Sequence, residues 1–347
     1  MKTYFQRVQE QTPTRFWINN VTREQARLAI AAGACGCTQN PAYTWKMLSN
    51  PEEKDYALEI LGDIMAREKD DNEALVQLQY ALVEKIAQIF LPIYEATGGK
   101  AGYVSIQGNP FREDVQSILR CARYNTRKCP NIMAKIPATA EGLKAIEILV
   151  RERVPINATE VMAVRQAVDV CRAYQRGSKG MDHPAPIYFS HIAGIYDEHL
   201  KNVVRENGIS ITPDVLWQAG VSVGKKAYYM TRSICPEMGF ISGGARGLHH
   251  FTEMVGADAV VTINWQGTAD KLIQQDPVVV VENFLRPTPD YVVDELVQKL
   301  EDYRRGYFLD AIQPEEYEDF GPVVLFRNSF EDAWTKALAL IAQLRDE

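Results

Sequence analysis

The chain has 347 residues, of which 46% are hydrophobic and 24% charged, with a formal net charge of −7. This composition is typical of a globular protein, and the acidic balance without a basic cluster argues against nucleic acid or an anionic membrane as partners. A polar N-terminus, six scattered cysteines and the expectation that no apolar stretch is long enough to span a bilayer predict a cytoplasmic protein.

Eight short runs rich in β-forming residues alternate with helical patterns. The runs cover 15–19, 34–38, 102–107, 132–136, 154–159, 187–190, 238–242 and 259–263, with helical periodicity between them, for example over 140–151 and 163–175. Eight strand–helix units in order predict an α/β protein with a (β/α)8 TIM barrel. A doubly wound open sheet is the alternative, but no glycine-rich fingerprint follows the first strand.

We expect one domain over 1–347 with two additions to the barrel. The connection 41–100 has a helix-start signal at 50–53 and an apolar stripe at helical spacing. We interpret it as two or three helices packed on the barrel; a mobile lid is the alternative. Residues 275–347 form a C-terminal extension with amphipathic helices predicted over 290–303 and 329–345.

Lys135 lies inside the apolar run 132–136, just before Pro137 and a helix start at Thr139. Burial disfavours the charged ammonium, so a lysine in this position loses its proton more easily and becomes a nucleophile. A neutral amine is what Schiff-base formation with a carbonyl substrate requires. The alternative is a structural lysine whose ammonium group extends to solvent.

Polar residues follow the other strands, and barrel enzymes carry their chemistry at these strand ends. The set around Lys135 comprises Asn19, Thr38, Asn40, Gln107, Thr159, Ser190, His191 and Arg246. It contains amides and hydroxyls but no evident carboxylate, which suits a polyhydroxylated substrate and not a metal. Neither Cys35-Gly36-Cys37 nor His249-His250 has partners at metal-site spacing, so no metal is expected.

Several of these motifs resemble the transaldolase family over about 16–272. The residues that carry the resemblance are the run 135–143 around Lys135, Thr38-Gln39-Asn40-Pro41, Asn157-Ala158-Thr159 with Gln166-Ala167, Ala219-Gly220-Val221-Ser222, Tyr228-Tyr229 and Gly244-Ala245-Arg246. The resemblance implies a Schiff-base aldolase-type barrel without metal or organic cofactor. It also implies a place in carbohydrate metabolism of the pentose phosphate type.

The resemblance also implies a role for each matching residue. Lys135 would form the imine with a ketose, and Thr159 would hold a water. Asn40 and Ser190, beside Thr38, would hydrogen-bond the dihydroxyacetone unit. Arg246 would bind the anionic end of the substrate.

The chain departs from the family at four positions. Asn19 and Gln107 stand where the family usually has an aspartate and a glutamate, and amides cannot accept a proton at neutral pH. The related fructose-6-phosphate aldolases share the glutamine but pair it with a tyrosine, where this chain has Met162. Ile195 replaces a phosphate-binding arginine, for which His191 or a basic residue of the insertion could substitute.

Three functions follow in order of preference. The first is a transaldolase that moves dihydroxyacetone from a ketose, such as a sugar phosphate, to an aldehyde. The second is a lyase that releases dihydroxyacetone, and the third is a sugar-binding barrel with impaired turnover. The sequence leaves the assembly open, with a homodimer as one candidate.

Overall fold

A computed structural model describes residues 2–274 and 279–346, and eight parallel strands close into a barrel within it. The strands are β1 (Arg15–Asn19), β2 (Cys37–Thr38), β3 (Val104–Gln107), β4 (Ile132–Pro137), β5 (Ile156–Val161), β6 (Ile187–His191), β7 (Gly239–Ser242) and β8 (Val260–Asn264). Each strand pairs with the next, and β8 pairs with β1 from Val260 opposite Arg15 to Asn264 opposite Asn19. The predicted (β/α)8 barrel is confirmed, and this closure rules out the open sheet.

Helices surround the barrel and fill the long connections. They are α1 (Tyr4–Gln11), α2 (Arg23–Ala32), α3 (Tyr43–Ser49), α4 (Lys54–Met65), α5 (Asp71–Ala96), α6 (Val115–Thr126), α7 (Ala140–Arg151), α8 (Val164–Ser178), α9 (Ala193–Glu206), α10 (Pro213–Leu216), α11 (Ala219–Ile234), α12 (His249–Thr252), α13 (Asp270–Ile273), α14 (Asp290–Lys299), α15 (Glu301–Tyr307) and α16 (Gly321–Asp346).

The barrel interior is apolar at one end and polar at the other. Side chains alternate along a strand, so Trp17 and Met133 point inward two positions before Asn19 and Lys135. Trp17 and Met133 cluster with Ile241 and other buried side chains. This apolar layer fills the end at which the strands begin, and the polar residues are left at the end where the strands finish.

The turn after β4 holds the Lys135 strand tightly against the next helix. The Thr139 hydroxyl caps α7 by accepting a hydrogen bond from the Gly142 amide at 3.0 Å. A Cβ atom on Gly142 would lie 1.7 Å from the Pro137 carbonyl oxygen, so only glycine allows this approach. The position of Lys135 is therefore fixed by the packing of α7 on β4.

Three helices, α3 to α5, occupy the connection between β2 and β3. Helix α5 is long and apolar enough to cross a membrane by length and composition, with 61% of that window buried inside the fold. The expectation that no stretch reaches this length was therefore wrong. Buried Leu75, Leu78 and Ile86 pack it into the core of the protein.

The C-terminal helices differ in detail from the predicted ones. The helix expected over 290–303 is divided into α14 and α15 because Leu300 has extended backbone angles. Helix α16 begins at Gly321, eight residues before the predicted start at Ser329. The start of the predicted extension, 275–278, lies outside the described residues.

Helix α16 packs on the insertion near the polar end of the barrel. Asn72 of α5 accepts hydrogen bonds from Trp334 Nε1 at 3.2 Å and from Asn109 Nδ2 at 3.0 Å. Arg345 and Asp71 form an ion pair at 2.6 Å. The insertion, α16 and the loop after β3 are thus tied together around the barrel mouth.

Candidate active site

Lys135 lies on the wall of a cavity at the polar end of the barrel. The cavity holds about 220 Å³, and the lysine is only 7% exposed. Burial lowers the pKa of Lys135 to about 8, against an opposing effect of the nearby Glu160 charge. Among the described residues no hydrogen-bond or ion-pair partner contacts its amine, so the amine can act as a nucleophile near neutral pH.

Most of the predicted polar set lines the same cavity. Lys135 shares it with Asn19, Thr38, Asn40, Ser190 and Arg246. Thr159, Gln107 and His191 are not part of its wall. The strand ends therefore bring together six of the nine predicted site residues around one space.

Hydrogen bonds fix the amides and hydroxyls of β1, β2 and β8. Asn19 Nδ2 donates to Asn264 Oδ1 at 3.0 Å, and Asn19 Oδ1 accepts from Thr38 Oγ1 at 2.9 Å. The Thr38 and Thr262 hydroxyls are 2.7 Å apart. These side chains form a rigid polar rim to which a sugar hydroxyl can bind.

A second set of hydrogen bonds orients Ser190 and Asn40. Ser190 Oγ donates to Asn157 Oδ1 at 2.6 Å, and Asn157 Nδ2 donates to Ser105 at 3.2 Å. Asn40 Oδ1 accepts from Asn20 Nδ2 at 3.0 Å and from the Ala42 amide at 3.1 Å. The Ser190 oxygen can therefore accept from a ligand, and the Asn40 amide nitrogen can donate to one.

Arg246 lies at the edge of the cavity, where its guanidinium pairs with Glu198 at 2.5 Å. Its backbone amide donates to His250 Nδ1 at 3.2 Å, and His250 Nε2 lies 3.0 Å from Asp197. Asp197 also accepts from the Gly220 amide at 2.7 Å. The loop that carries Arg246 is thus braced from behind by a buried histidine–aspartate pair.

The ligand atoms of Asp197, His249 and His250 lie within 4.8 Å of one another, close enough to hold a metal ion. The sequence shows no partner for the histidine pair at metal-site spacing, and Asp197 is a partner that is distant in sequence and close in space. Burial alone raises the pKa of Asp197, but hydrogen bonds from both histidines outweigh it and leave that pKa below its usual value. The hydrogen bonds of His250 to Asp197 and Arg246 give the cluster a positioning role.

His191 does not face the cavity, so its predicted substrate contact is wrong. The ring is fully buried between two backbone carbonyls, with Nδ1 2.9 Å from Val161 O and Nε2 2.8 Å from Gly220 O. Burial lowers the pKa of His191 despite these contacts. The sequence places it correctly at a strand end, but one ring nitrogen contacts β5 and the other contacts α11.

The described cavity wall contains no carboxylate, but two acidic side chains that were missing from the predicted set contact Gln107. Gln107 Nε2 donates to Glu160 Oε1 at 2.7 Å and weakly to Glu113 Oε1 at 3.4 Å. Glu160 is fully buried, and its charge influences the pKa of Lys135. Gln107 therefore connects two acidic side chains beside the lysine.

Helix α16 closes part of the mouth. Phe326, Ser329 and Phe330 contribute to the cavity wall opposite the strand ends. Phe330 is fully buried and Phe326 nearly so. An apolar lid of this kind excludes water from a polar site and strengthens the electrostatic interactions inside it.

Comparison with known protein families identifies the family of this chain. Residues 16–303 match the family model described as transaldolase/fructose-6-phosphate aldolase. The chain belongs to this family.

Curated relatives named transaldolase are similar at low identity. One from Neisseria meningitidis is 31% identical over 47% of this chain and 48% of its own length. One from Thiobacillus denitrificans is 24% identical over 94% of this chain and 96% of its own. The chain thus spans about half the length of the first of these relatives and nearly all of the second.

A solved structure of an IMP dehydrogenase/GMP reductase-like protein from Corynebacterium glutamicum is also similar. It is 14% identical, covers 92% of this chain and 83% of its own, and has a TM-score of 0.37. At that distance the likeness carries no argument about function.

The position of Ile195 bears on anion binding, because the resemblance to the family implies a phosphate-binding arginine there. Ile195 is buried at the start of α9, where it does not contact the cavity. Lys46 of the insertion donates to the Asn20 backbone carbonyl at 2.5 Å and also lies outside the cavity wall. Within the described ranges, Arg246 and Lys135 are thus the basic side chains that line the cavity.

We expect Arg246→Ala to raise the KM for phosphorylated ketoses about 10- to 100-fold, since a hydrogen-bonded charge contributes about 1.5–3 kcal/mol. Glu198→Gln should lower the same KM because the competing carboxylate is removed. Neutral ketoses are the control, and their KM should stay within about twofold in both variants. Equal changes for charged and neutral ketoses would contradict an anion-binding role of Arg246.

Proposed function

We propose that the protein is a transaldolase-type enzyme that carries a dihydroxyacetone unit on Lys135. The supporting observation is a buried amine with a pKa of about 8 on the wall of a cavity rich in amides and hydroxyls. Lys135 attacks the ketose C2 carbonyl and forms an imine. The protonated imine accepts the electron pair when the bond between C3 and C4 breaks. An aldehyde acceptor then takes up the bound three-carbon unit.

The polar wall supports binding of the three-carbon unit. Asn40 and Ser190 each offer one free hydrogen-bonding group, and the rim of Asn19 and Thr38 lies beside them. Arg246 at the edge suits an anionic group at the far end of the sugar. Thr159 has a fully buried hydroxyl with no hydrogen-bond partner in the part of the chain that the structure describes, which suits the predicted water-holding role.

Reductive trapping tests the proposal. The protein is incubated with fructose 6-phosphate or with dihydroxyacetone and reduced with borohydride. Its mass is then measured by intact-protein mass spectrometry. We expect one adduct, mapped by peptide analysis to Lys135 and missing in Lys135→Met. Lys144→Met is a matched control, because this exposed lysine on α7 pairs with Glu141 at the surface. No adduct with any ketose would support the impaired sugar-binding barrel instead.

An acceptor test separates transferase from lyase. Turnover of fructose 6-phosphate is measured with and without erythrose 4-phosphate. A transaldolase should need the acceptor for repeated turnover, because the bound enamine leaves slowly without it. Free dihydroxyacetone released at the full rate without acceptor would favour the lyase.

A further inference from the structure

The side chains around the end of β5 form a buried acidic cluster that the polar cavity wall does not include. Glu160 is fully buried, yet its backbone φ is +60°, in the left-handed region that a glutamate rarely adopts. The pairing of β5 with β6 shifts register between Ala158 and Val161, which indicates a β-bulge at this point. Bulges redirect side chains, and this one turns Glu160 towards Gln107 on β3.

Three buried oxygens of this cluster have no hydrogen-bond partner among residues 2–274 and 279–346. They are Thr159 Oγ1, Glu160 Oε2 and Gln107 Oε1. Buried polar atoms are nearly always hydrogen-bonded. Three unpaired oxygens in residues that are adjacent or hydrogen-bonded to one another therefore indicate a binding place for a small polar molecule. Thr159 and Glu160 are adjacent at the end of β5, and Gln107 is hydrogen-bonded to Glu160.

Charges on every side of the cluster bear on Glu160. Lys135 acts from β4, Glu113 from the loop before α6, and Glu318 and Arg327 from the C-terminal segment. Burial raises the pKa of Glu160, against a lowering by the Gln107 hydrogen bond and by the Lys135 and Arg327 charges. A carboxyl group with a raised pKa is suited to give and take a proton near neutral pH.

We propose that Glu160 is the acid–base group of this site and exchanges protons with the Lys135 adduct through a water held by Thr159 and Gln107. The inference rests on the proposed imine function. Asn19 and Gln107 are amides, so neither can perform this transfer. Gln107 acts as a positioning residue, because its amide holds one Glu160 oxygen and leaves the other free.

The proton transfers balance over one half-reaction. The neutral Glu160 carboxyl protonates the hydroxyl of the carbinolamine, which leaves as water with the C–O bond pair, and the iminium ion forms. The Glu160 carboxylate then takes the proton of the C4 hydroxyl as the C3–C4 bond breaks. The aldehyde leaves, the bond electrons neutralise the iminium as an enamine, and Glu160 is again protonated.

Glu160→Gln tests the proposal, since it keeps the shape and the hydrogen bond but cannot transfer a proton. We expect turnover to fall about 100-fold, which is within the usual contribution of general acid–base catalysis. Borohydride trapping at Lys135 should still give an adduct. The midpoint of its pH dependence should move to lower pH, because a carboxylate that stabilises the Lys135 ammonium is gone. This shift reports the charge of Glu160 near Lys135, whereas a loss of turnover with the adduct retained reports its proton transfer.

Two further variants make the result decisive. Glu113→Gln changes the other carboxyl near Gln107 and should keep turnover within about threefold. The exchange Gln107→Glu with Glu160→Gln places an acid across the same hydrogen bond and should recover at least tenfold of the lost rate. If Glu160→Gln folds poorly, as judged by its thermal transition, this exchange variant carries the test.

The outcomes separate the two proposals. Turnover of Glu160→Gln within threefold of the unmodified protein, or an exchange variant as slow as Glu160→Gln, would overturn the role of Glu160 and leave the imine function intact. No trapped adduct in the unmodified protein would overturn both.

Discussion

Lys135→Met is expected to lose turnover by about 10⁴-fold or more while the protein folds normally. In the proposed mechanism the amine provides the covalent attachment, and no other described residue on the cavity wall carries an amine that could replace it. Methionine has a similar length and an apolar character that suits a buried strand position. The measurement is steady-state transfer from a ketose to an aldehyde, and Lys144→Met is the matched control. Residual turnover above one hundredth of normal would contradict imine formation at Lys135.

The same variant should also be more stable near neutral pH. Lys135 has a folded-state pKa of about 8 in place of 10.5, so the unfolded chain binds the proton more tightly. This difference costs about 3 kcal/mol, fully present below pH 8 and lost as the pH rises from 8 to 10.5. The variant also removes the Lys135 charge that stabilises the Glu160 carboxylate, which offsets part of this gain. We therefore expect the free energy of unfolding to rise by about 1–3 kcal/mol.

Denaturant unfolding of both proteins from pH 7 to pH 10 measures this gain. The stability difference should be largest at pH 7 and should shrink as the pH rises above 8, because the lysine in the folded protein is then already neutral. A difference that does not vary with pH would mean that the Lys135 pKa is ordinary.

The sequence predicts the framework of the site well because the framework depends on local patterns. Short β-forming runs between amphipathic helices predict the barrel, and strand alternation places Asn19 and Lys135 inside it. The bounds of the seven longer strands agree within two residues. Strand β2 is shorter than predicted, since only Cys37 and Thr38 pair with both neighbours.

The acidic cluster could not be predicted from the same pattern. Alternation from Asn157 and Thr159 puts Glu160 on the outer face of β5, where an acid would be exposed to the helix layer. The bulge and the left-handed backbone reverse that orientation. The signal that could have revealed it is a single acidic residue within the otherwise uncharged run 154–164, a costly arrangement in a buried strand unless the acid has a partner.

The roles of the histidines could not be predicted from the sequence either. His191 follows a strand end and looks like a ligand contact in sequence, but its partners are carbonyls of Val161 and Gly220. The role of His250 depends on Asp197, a residue 53 positions away. Hydrogen bonds between distant segments decide these roles, and such hydrogen bonds cannot be predicted from the spacing of residues along the chain.

Imine formation should depend steeply on pH below 8. Only the neutral amine attacks a carbonyl, so for a pKa of about 8 the reactive fraction falls about tenfold for each unit of pH below that value. Trapping with dihydroxyacetone should therefore be about 100-fold slower at pH 6 than at pH 9. Dihydroxyacetone is the right probe because it has no phosphate that titrates in this range.

The rate is measured by incubating the protein at each pH and stopping each sample with borohydride in one common buffer, so the reduction step does not vary. Arg246→Ala serves as the control, since this guanidinium pairs with Glu198 and is not among the charges that shift the Lys135 pKa, so the midpoint should stay unchanged. A midpoint near 10.5 would mean that Lys135 is solvated like a surface lysine. A midpoint near 8 that shifts in Glu160→Gln and not in Arg246→Ala would link the nucleophile specifically to the buried carboxyl group, because the Glu160 charge opposes the loss of the Lys135 proton.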